Sequence, residues 1–127
     1  DRRQRQMCIR DRDTIAQKMR AADVLVFATP IYYYGMSGQM KTMLDRGNPL
    51  YASDYAFREV YLLAAAAEEE EHTMDGAVNG LRGWLACFPK ARLAGTVFGG
   101  GVDVAGAIKE HPALQKAYEM GMAVSNG

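Results

Sequence analysis

The chain reads VLVFATPIYYYGMS from residue 24 to residue 37. Its first five residues form an uninterrupted apolar run, which is typical of a strand that is buried on both faces of a parallel sheet. The stretch from Thr29 to Gly35 then predicts a loop with a proline, three tyrosines and a glycine, and Ser37 is placed to cap a following helix. This order of strand, loop and helix predicts an α/β domain.

The same alternation continues along the rest of the chain. Further buried strands are predicted over residues 59–67 and 93–98, and helices over residues 13–22, 39–46 and 73–88. A last helix begins at Pro112, and its predicted buried face carries Leu114, Ala117, Tyr118 and Met122. Alternating elements predict a parallel sheet with helices on both faces, and because three strands are few for such a sheet, we expect further strands upstream.

The composition excludes several classes of protein. The 127 residues are 49% hydrophobic and 24% charged, which is typical of one globular domain. Fifteen basic residues balance fifteen acidic ones, so the whole chain has no electrostatic attraction for nucleic acid. The longest apolar run, residues 60–67, is far shorter than the roughly 20 residues that span a membrane. With two cysteines and no disulfide framework, we expect a cytoplasmic protein.

The first twelve residues differ from the rest of the chain. They contain five arginines and show no apolar periodicity. A basic arm that binds nucleic acid is one interpretation. The other, which we favour, is that residues 2–12 resemble the translation of a transposase-based sequencing adapter. We therefore expect residues 1–12 to be non-native and residues 13–127 to be the C-terminal part of one domain.

The loops that follow the strands are the candidate site, because ligands of open α/β sheets bind beyond the carboxyl ends of the strands. The tyrosines of the first loop offer flat apolar surface with polar tips, and Gly35 allows close approach of the backbone. Amides in such a turn, followed by a helix N-terminus, favour electron-rich acceptor atoms. A planar heteroaromatic ring such as isoalloxazine suits this loop, and packing of the tyrosines at a subunit interface is the alternative.

The segment from Thr29 to Arg46, TPIYYYGMSGQMKTMLDR, resembles the signature of the NAD(P)H-dependent FMN reductases. This flavodoxin-like family includes the iron–sulfur flavoproteins and related quinone reductases. The similarity continues through Asp75-Gly76, residues 81–85, residues 93–97 and residues 111–114. It implies a flavodoxin-like, doubly wound parallel sheet that is N-terminally truncated, since the first strands and the phosphate-binding loop would precede Asp13.

The resemblance also implies that FMN lies at the strand ends, held by two loops. The residues then expected to bind it are Thr29, Pro30, Ile31, Tyr32, Tyr33, Tyr34, Gly35, Met36, Ser37, Ala66, Ala67 and Glu68. No side chain is expected to act as a catalytic acid or base, because the flavin carries the chemistry, and no metal ligands are expected.

The implied function is transfer of hydride from NAD(P)H through FMN to a small-molecule acceptor, such as a quinone, a nitro compound, an iron centre or a flavin. A homodimer or tetramer is expected, and an iron–sulfur cluster only if the missing N-terminal part carries cysteines. The alternative is a flavodoxin-type electron carrier that a partner protein reduces. A receiver domain of the same fold ranks last, because it needs an acidic pocket that this chain lacks. Without a phosphate loop, we expect the 127-residue chain to bind FMN weakly or not at all.

Other conspicuous residues have simpler interpretations. The four acidic residues Glu68–Glu71 predict a solvated loop, or else negative charge that tunes the flavin. The glycines Gly99–Gly101 lack the spacing of a dinucleotide motif and predict a tight turn. We interpret His72 as a loop residue, His111 as a cap or turn residue, and Cys87 as a core residue on an apolar helical face.

Overall fold

The computed structural model describes residues 14–126, so the segment that we expect to be adapter-derived lies outside the described residues. Strands and helices alternate as predicted. Helix α1 covers residues 14–21, and the later elements are β1 (Val24–Pro30), α2 (Gly38–Asp45), β2 (Glu59–Ala65), α3 (Asp75–Leu85), β3 (Arg92–Gly99) and α4 (Pro112–Asn126). Short 3₁₀ turns lie at Asn48–Leu50, Glu71–Met74 and Ala107–Glu110.

The three strands form one parallel sheet in the order β1-β2-β3. Pro30 at the end of β1 pairs with Ala65 at the end of β2, which pairs with Gly99 at the end of β3. The carboxyl ends of all three strands therefore lie side by side. The loops that follow them, which contain the predicted site residues, share one edge of the sheet.

Helices α1, α2 and α3 cover one face of the sheet and build the main core. An aromatic cluster fills its centre: Phe57 lies 4.6 Å from Tyr55, 5.5 Å from Phe88 and 6.1 Å from Trp84, measured between ring centroids. The indole Nε1 of Trp84 donates a hydrogen bond to the Leu44 carbonyl oxygen at 3.1 Å, which ties α3 to the end of α2. This face is closed by both packing and hydrogen bonding.

The opposite face carries α4, which packs on β3, where Met120 lies against Gly95. The outer face of β1 is left open, and Val26 is 55% exposed. An apolar trough of about 410 Å³ runs between the sheet and α4, lined among others by Ala28, Leu63, Ala65, Leu114 and Ala117. The sheet therefore has one closed face and one face that the described residues cover only in part.

Two predictions about buried side chains are wrong. The predicted buried face of α4 is largely exposed at Leu114, Tyr118 and Met122, and Ala113 is buried instead. Apolar residues occupy two neighbouring rows of this helix, and periodicity does not say which row meets β3. Cys87 is exposed, because α3 ends at Leu85 and the chain turns before it can continue the apolar face. Within residues 14–126, no helix has the length and hydropathy needed to cross a membrane.

Candidate functional site

Hydrogen bonds connect the loops at the carboxyl edge of the sheet. The Ile31 N–H donates to the Ala65 carbonyl oxygen at 2.8 Å, and the Ala66 N–H donates to the Gly99 carbonyl oxygen at 2.9 Å. Each strand end is thus tied to the next one. The two predicted groups of site residues, in the loop after β1 and the loop after β2, lie next to each other as expected.

Residues 32–35, which we call the tyrosine turn, form a closed two-residue hairpin. The N–H of Tyr32 donates to the Gly35 carbonyl oxygen and the N–H of Gly35 donates to the Tyr32 carbonyl oxygen, both at 3.0 Å. Tyr33 and Tyr34 between them have φ values of 50° and 62°. Two successive left-handed residues define a type I′ turn, for which Asn-Gly is the usual sequence. A left-handed tyrosine costs roughly 1–2 kcal/mol, and such strain is concentrated at functional sites.

Two predicted site residues hold the base of this loop together. The buried Thr29 hydroxyl donates to the Pro30 carbonyl oxygen at 2.7 Å and accepts from the Ser37 N–H at 2.9 Å. The Ser37 hydroxyl accepts from the Met40 N–H at 3.2 Å and caps α2, as predicted. These hydroxyls shape the loop, and contact between them and FMN stays a prediction.

The tyrosine turn and the residue that follows it, Met36, leave backbone donors unpaired. The N–H groups of Tyr33, Tyr34 and Met36 have no acceptor within residues 14–126. Aromatic rings flank them: Tyr32 and Tyr34 are mostly exposed and Tyr33 is fully exposed, at 103%. Unpaired amides beside flat aromatic surface match the chemistry of the carbonyl and imine edge of an isoalloxazine ring. The residues present therefore fit the ring end of FMN.

The loop after β2 rests on the glycine turn after β3. Gly101, with φ of 72°, donates its N–H to the Glu68 carbonyl oxygen at 2.9 Å, and Val102 donates to the Ala66 carbonyl oxygen at the same distance. A Cβ on Gly100 would lie 2.8 Å from the Glu68 carbonyl oxygen. The predicted turn is present as a bend at Gly101, and its hydrogen bonds run to the loop after β2 and not within residues 99–101. Ala66 is buried, whereas Ala67 and the four acidic side chains that follow are exposed.

The two histidines have the loop and capping positions that we predicted. Nδ1 of His111 accepts from the Ala113 N–H at 3.0 Å, and its Nε2 lies 2.8 Å from the Gly100 carbonyl oxygen. His111 thus joins the end of β3 to the start of α4. His72 is exposed beside Glu70, at 3.4 Å. Among the described residues, no group of three or more His, Cys, Asp and Glu side chains is placed to hold a metal ion.

We did not predict from the sequence that α3 contacts the loop after β1. A Cβ on Gly76 would overlap the Tyr34 carbonyl oxygen, and one on Gly80 would lie 2.7 Å from the Met36 Cε atom. Helix α3 therefore packs against the tyrosine turn and the adjacent Met36 side chain. A signal was present, since three glycines in a helix of eleven residues are locally unfavourable.

Comparison with known protein families identifies the family of this chain. The family model for the NADPH-dependent FMN reductases matches residues 8–104. The chain therefore belongs to the NADPH-dependent FMN reductase family, which confirms the resemblance seen in the sequence.

Two curated relatives match parts of the chain. One is the Bacillus subtilis (strain 168) protein named NAD(P)H-dependent FMN-containing oxidoreductase YwqN. It is 30% identical over an alignment of 66 residues, which covers 46% of this chain and 36% of the relative. The other is the iron–sulfur flavoprotein MJ1083 of Methanocaldococcus jannaschii, 43% identical over 42 residues, or 33% of this chain and 22% of its own. The chain thus matches about a third and about a fifth of these relatives' lengths.

A solved structure shows the same fold. The Trp repressor binding protein from Bacillus subtilis superposes with a TM-score of 0.69 at 24% identity, covering 84% of this chain and 68% of its own. This likeness confirms the predicted flavodoxin-like α/β arrangement.

Proposed function

We propose that the protein is an FMN-dependent oxidoreductase that passes hydride from NAD(P)H through bound FMN to a small-molecule acceptor. The observation that carries the proposal is the tyrosine turn, whose unpaired amides lie at the carboxyl edge of the sheet in a member of the FMN reductase family. When bound, FMN supplies the two-electron chemistry. The chain itself then has to bind, orient and shield the ring.

Each part of the candidate site has a proposed task. The N–H groups of Tyr33, Tyr34 and Met36 would donate hydrogen bonds to the polar edge of the ring, and the tyrosine rings would shield it from water. The backbone from Ala66 to Glu68 would contact the ring from the second loop. Thr29 keeps both ends of the first loop together, so the amides are held in place before the ligand arrives.

The acidic residues Glu68–Glu71 would act on the same ring through their charge. Negative charge nearby disfavours an anionic reduced flavin, and it also repels the phosphates of a nicotinamide dinucleotide. All four side chains are exposed, so water and salt screen this effect. For the electron acceptor we propose only the chemical classes that such a site can serve, namely a quinone, a nitro compound, an iron centre or a free flavin.

We also propose that residues 13–127 are the C-terminal part of the FMN-binding domain. The outer edge of β1 pairs with no strand within residues 14–126, and Val26 on the outer face is mostly exposed. A preceding segment would complete the sheet and supply the phosphate-binding loop. An iron–sulfur cluster would need cysteines from that segment. We propose that the complete protein is cytoplasmic and forms a homodimer or tetramer.

The decisive experiment uses the protein expressed from its complete gene. We expect it to retain FMN, and rapid mixing with NADPH in the absence of oxygen should bleach the flavin absorbance. Failure to bind FMN in a titration would contradict the proposed function. Light scattering after gel filtration measures the oligomeric state in the same preparation.

The 127-residue chain provides a matched sample. It contains the loops proposed to contact the flavin ring and lacks the proposed phosphate-binding loop. We expect a titration with FMN to show weak binding or none, because nothing in residues 14–126 resembles a phosphate loop. Micromolar or tighter binding would contradict the proposed division of the domain.

The second candidate function is a flavodoxin-type electron carrier that a partner protein reduces. The full exposure of Tyr33 and the acidic loop that follows the neighbouring strand β2 favour this candidate, because a protein partner with a basic surface could reach the flavin at this edge of the sheet. NADPH would then fail to bleach the bound flavin, whereas a reducing partner or dithionite would do so.

A further inference from the structure

The conformation of the tyrosine turn needs support from outside the turn. Tyr33 and Tyr34 are both left-handed, and Tyr33 is fully exposed, so its side chain contributes no packing that would hold the backbone. The reciprocal hydrogen bonds between Tyr32 and Gly35 close the turn without deciding where it lies. Something else must fix the direction of its unpaired amides.

Helix α3 supplies the contact. A Cβ on Gly76 would overlap the Tyr34 carbonyl oxygen and would lie 3.3 Å from the carbonyl carbon and 3.7 Å from the Gly35 Cα. One helical turn later, a Cβ on Gly80 would lie 2.7 Å from the Met36 Cε. Residues four apart share one face of a helix. The same face of α3 therefore meets the loop at two successive points.

The two contacts differ in how they would respond to a side chain. At Gly76 the neighbour is backbone, which no side-chain rotation can move away. At Gly80 the neighbour is the end of the flexible Met36 side chain, which can swing aside. At Gly83, on the same helix, no atom of residues 14–126 lies within 4 Å of a Cβ. Substitution of glycine by alanine is therefore expected to disturb the loop strongly at Gly76, mildly at Gly80 and not at all at Gly83.

We propose that Gly76 is a positioning residue for the candidate site. Its bare Cα lets α3 contact the peptide between Tyr34 and Gly35, and this contact directs the unpaired N–H groups of Tyr33 and Tyr34 toward the ligand. That the ligand is FMN rests on the proposed function. That Gly76 seats the turn rests on the contacts and can be tested without any ligand.

The test compares Gly76→Ala with Gly83→Ala and Gly80→Ala, in the protein expressed from its complete gene. Hydrogen exchange of the Tyr32 and Gly35 amides, the two that are hydrogen-bonded within the turn, reports whether the turn keeps its conformation. We expect Gly76→Ala to speed this exchange about tenfold or more, Gly80→Ala to speed it less, and Gly83→Ala to leave it unchanged. The helical signal in circular dichroism should stay the same in all three.

FMN binding provides the second measurement. We expect Gly76→Ala to raise the Kd for FMN about 10- to 100-fold and to shift the flavin absorption bands, because the amides no longer meet the ring edge. Gly83→Ala should retain the parent Kd. Equal exchange and equal Kd in Gly76→Ala and Gly83→Ala would overturn the proposal.

Two outcomes need separate treatment. If Gly76→Ala does not fold, the parent protein decides. A turn that α3 holds in place keeps its two hydrogen bonds closed, so slow exchange of the Tyr32 and Gly35 amides supports the proposal, and exchange at the rate of an unstructured peptide would overturn it. If the parent protein binds no FMN, the proposed function fails, while the exchange comparison still decides whether Gly76 seats the turn.

Discussion

The two faces of the sheet are built from similar side chains but have different surroundings. Leu62 of β2 points to the face covered by α1, α2 and α3 and is fully buried, whereas Val26 of β1 points to the other face and is 55% exposed. Both belong to apolar runs of the kind that predicts burial on both sides. Apolar strand residues therefore indicate that a face can be covered, and the neighbouring elements decide whether it is.

The difference has a direct energetic consequence. Burial of apolar surface contributes roughly 25 cal/mol per Å², so residues on the closed face carry most of the stability of the described residues. The open face contributes where α4 meets β3 and little above β1. Substitutions that probe the two faces should differ accordingly.

The largest effect is expected at the centre of the closed face. Phe57→Ala should lower the free energy of unfolding by about 3–5 kcal/mol, because it leaves a cavity among Tyr55, Trp84 and Phe88. Urea unfolding of the 127-residue chain measures the loss, and Val26→Ala in the same chain is the control, with an expected change within about 0.5 kcal/mol. Similar losses in both variants would contradict the contrast between the faces.

A smaller effect is expected where a hydrogen bond joins two helices of the closed face. Trp84→Phe keeps an aromatic ring but removes one of the two N–H groups that donate to the Leu44 carbonyl oxygen, and the Gly47 N–H remains at 3.0 Å. The loss of this one hydrogen bond should cost about 0.5–1.5 kcal/mol in the same unfolding experiment. Tyr118→Phe on the exposed flank of α4 is the matched control and should change stability little. An equal loss of unfolding free energy in Tyr118→Phe and Trp84→Phe would show that the hydrogen bond to Leu44 does not itself stabilise the protein.

The open face provides a comparison between two lengths of the protein. Val26→Asp should cost the 127-residue chain about 0.5 kcal/mol or less, because the side chain is mostly exposed. In the protein expressed from the complete gene, where we propose that a preceding segment covers this face, the same change would bury a carboxylate without a partner. A cost there of several kcal/mol is then expected. Equal small costs at both lengths would argue against the proposed covering segment.

The smallest effect is expected at alkaline pH. The hydrogen bond from the Tyr61 hydroxyl to Glu59, 2.9 Å long, raises the pKa of Tyr61 above its usual value. Because the folded-state pKa is the higher one, this stabilisation is complete below the usual tyrosine pKa of about 10 and is lost as the pH rises through the raised value. Tyr61→Phe should therefore show a weaker fall in Tm than the parent between about pH 8 and about pH 11. Parallel curves would contradict the role of this bond.

Much of the fold could be predicted from local patterns, because these depend on neighbours in the chain. The apolar run from Val24, the cap at Ser37, the glycine turn and the helix start at Pro112 all lie where the sequence predicts them. The positions of the loop after β1 and the loop after β2 at one edge of the sheet could also be predicted, because parallel strands end on the same side.

The wrong predictions have one physical cause in common. The row of α4 with Leu114 and Tyr118 is as apolar as the row that meets β3, and Cys87 continues the spacing of an apolar face beyond the end of its helix. Periodicity describes which side chains share a face. It does not say which other element, if any, packs against that face.

The sequence by itself determined the order of the elements, the family and the loop in which the candidate site lies, since each depends on residue types close together in the chain. Only the tertiary structure decided that Tyr33 and Tyr34 adopt left-handed conformations and that Gly76 of a distant helix lies against the peptide between Tyr34 and Gly35. The reason is distance along the chain, because the tyrosine turn and α3 meet only once the parallel sheet has brought the loops after β1 and β2 to the same edge.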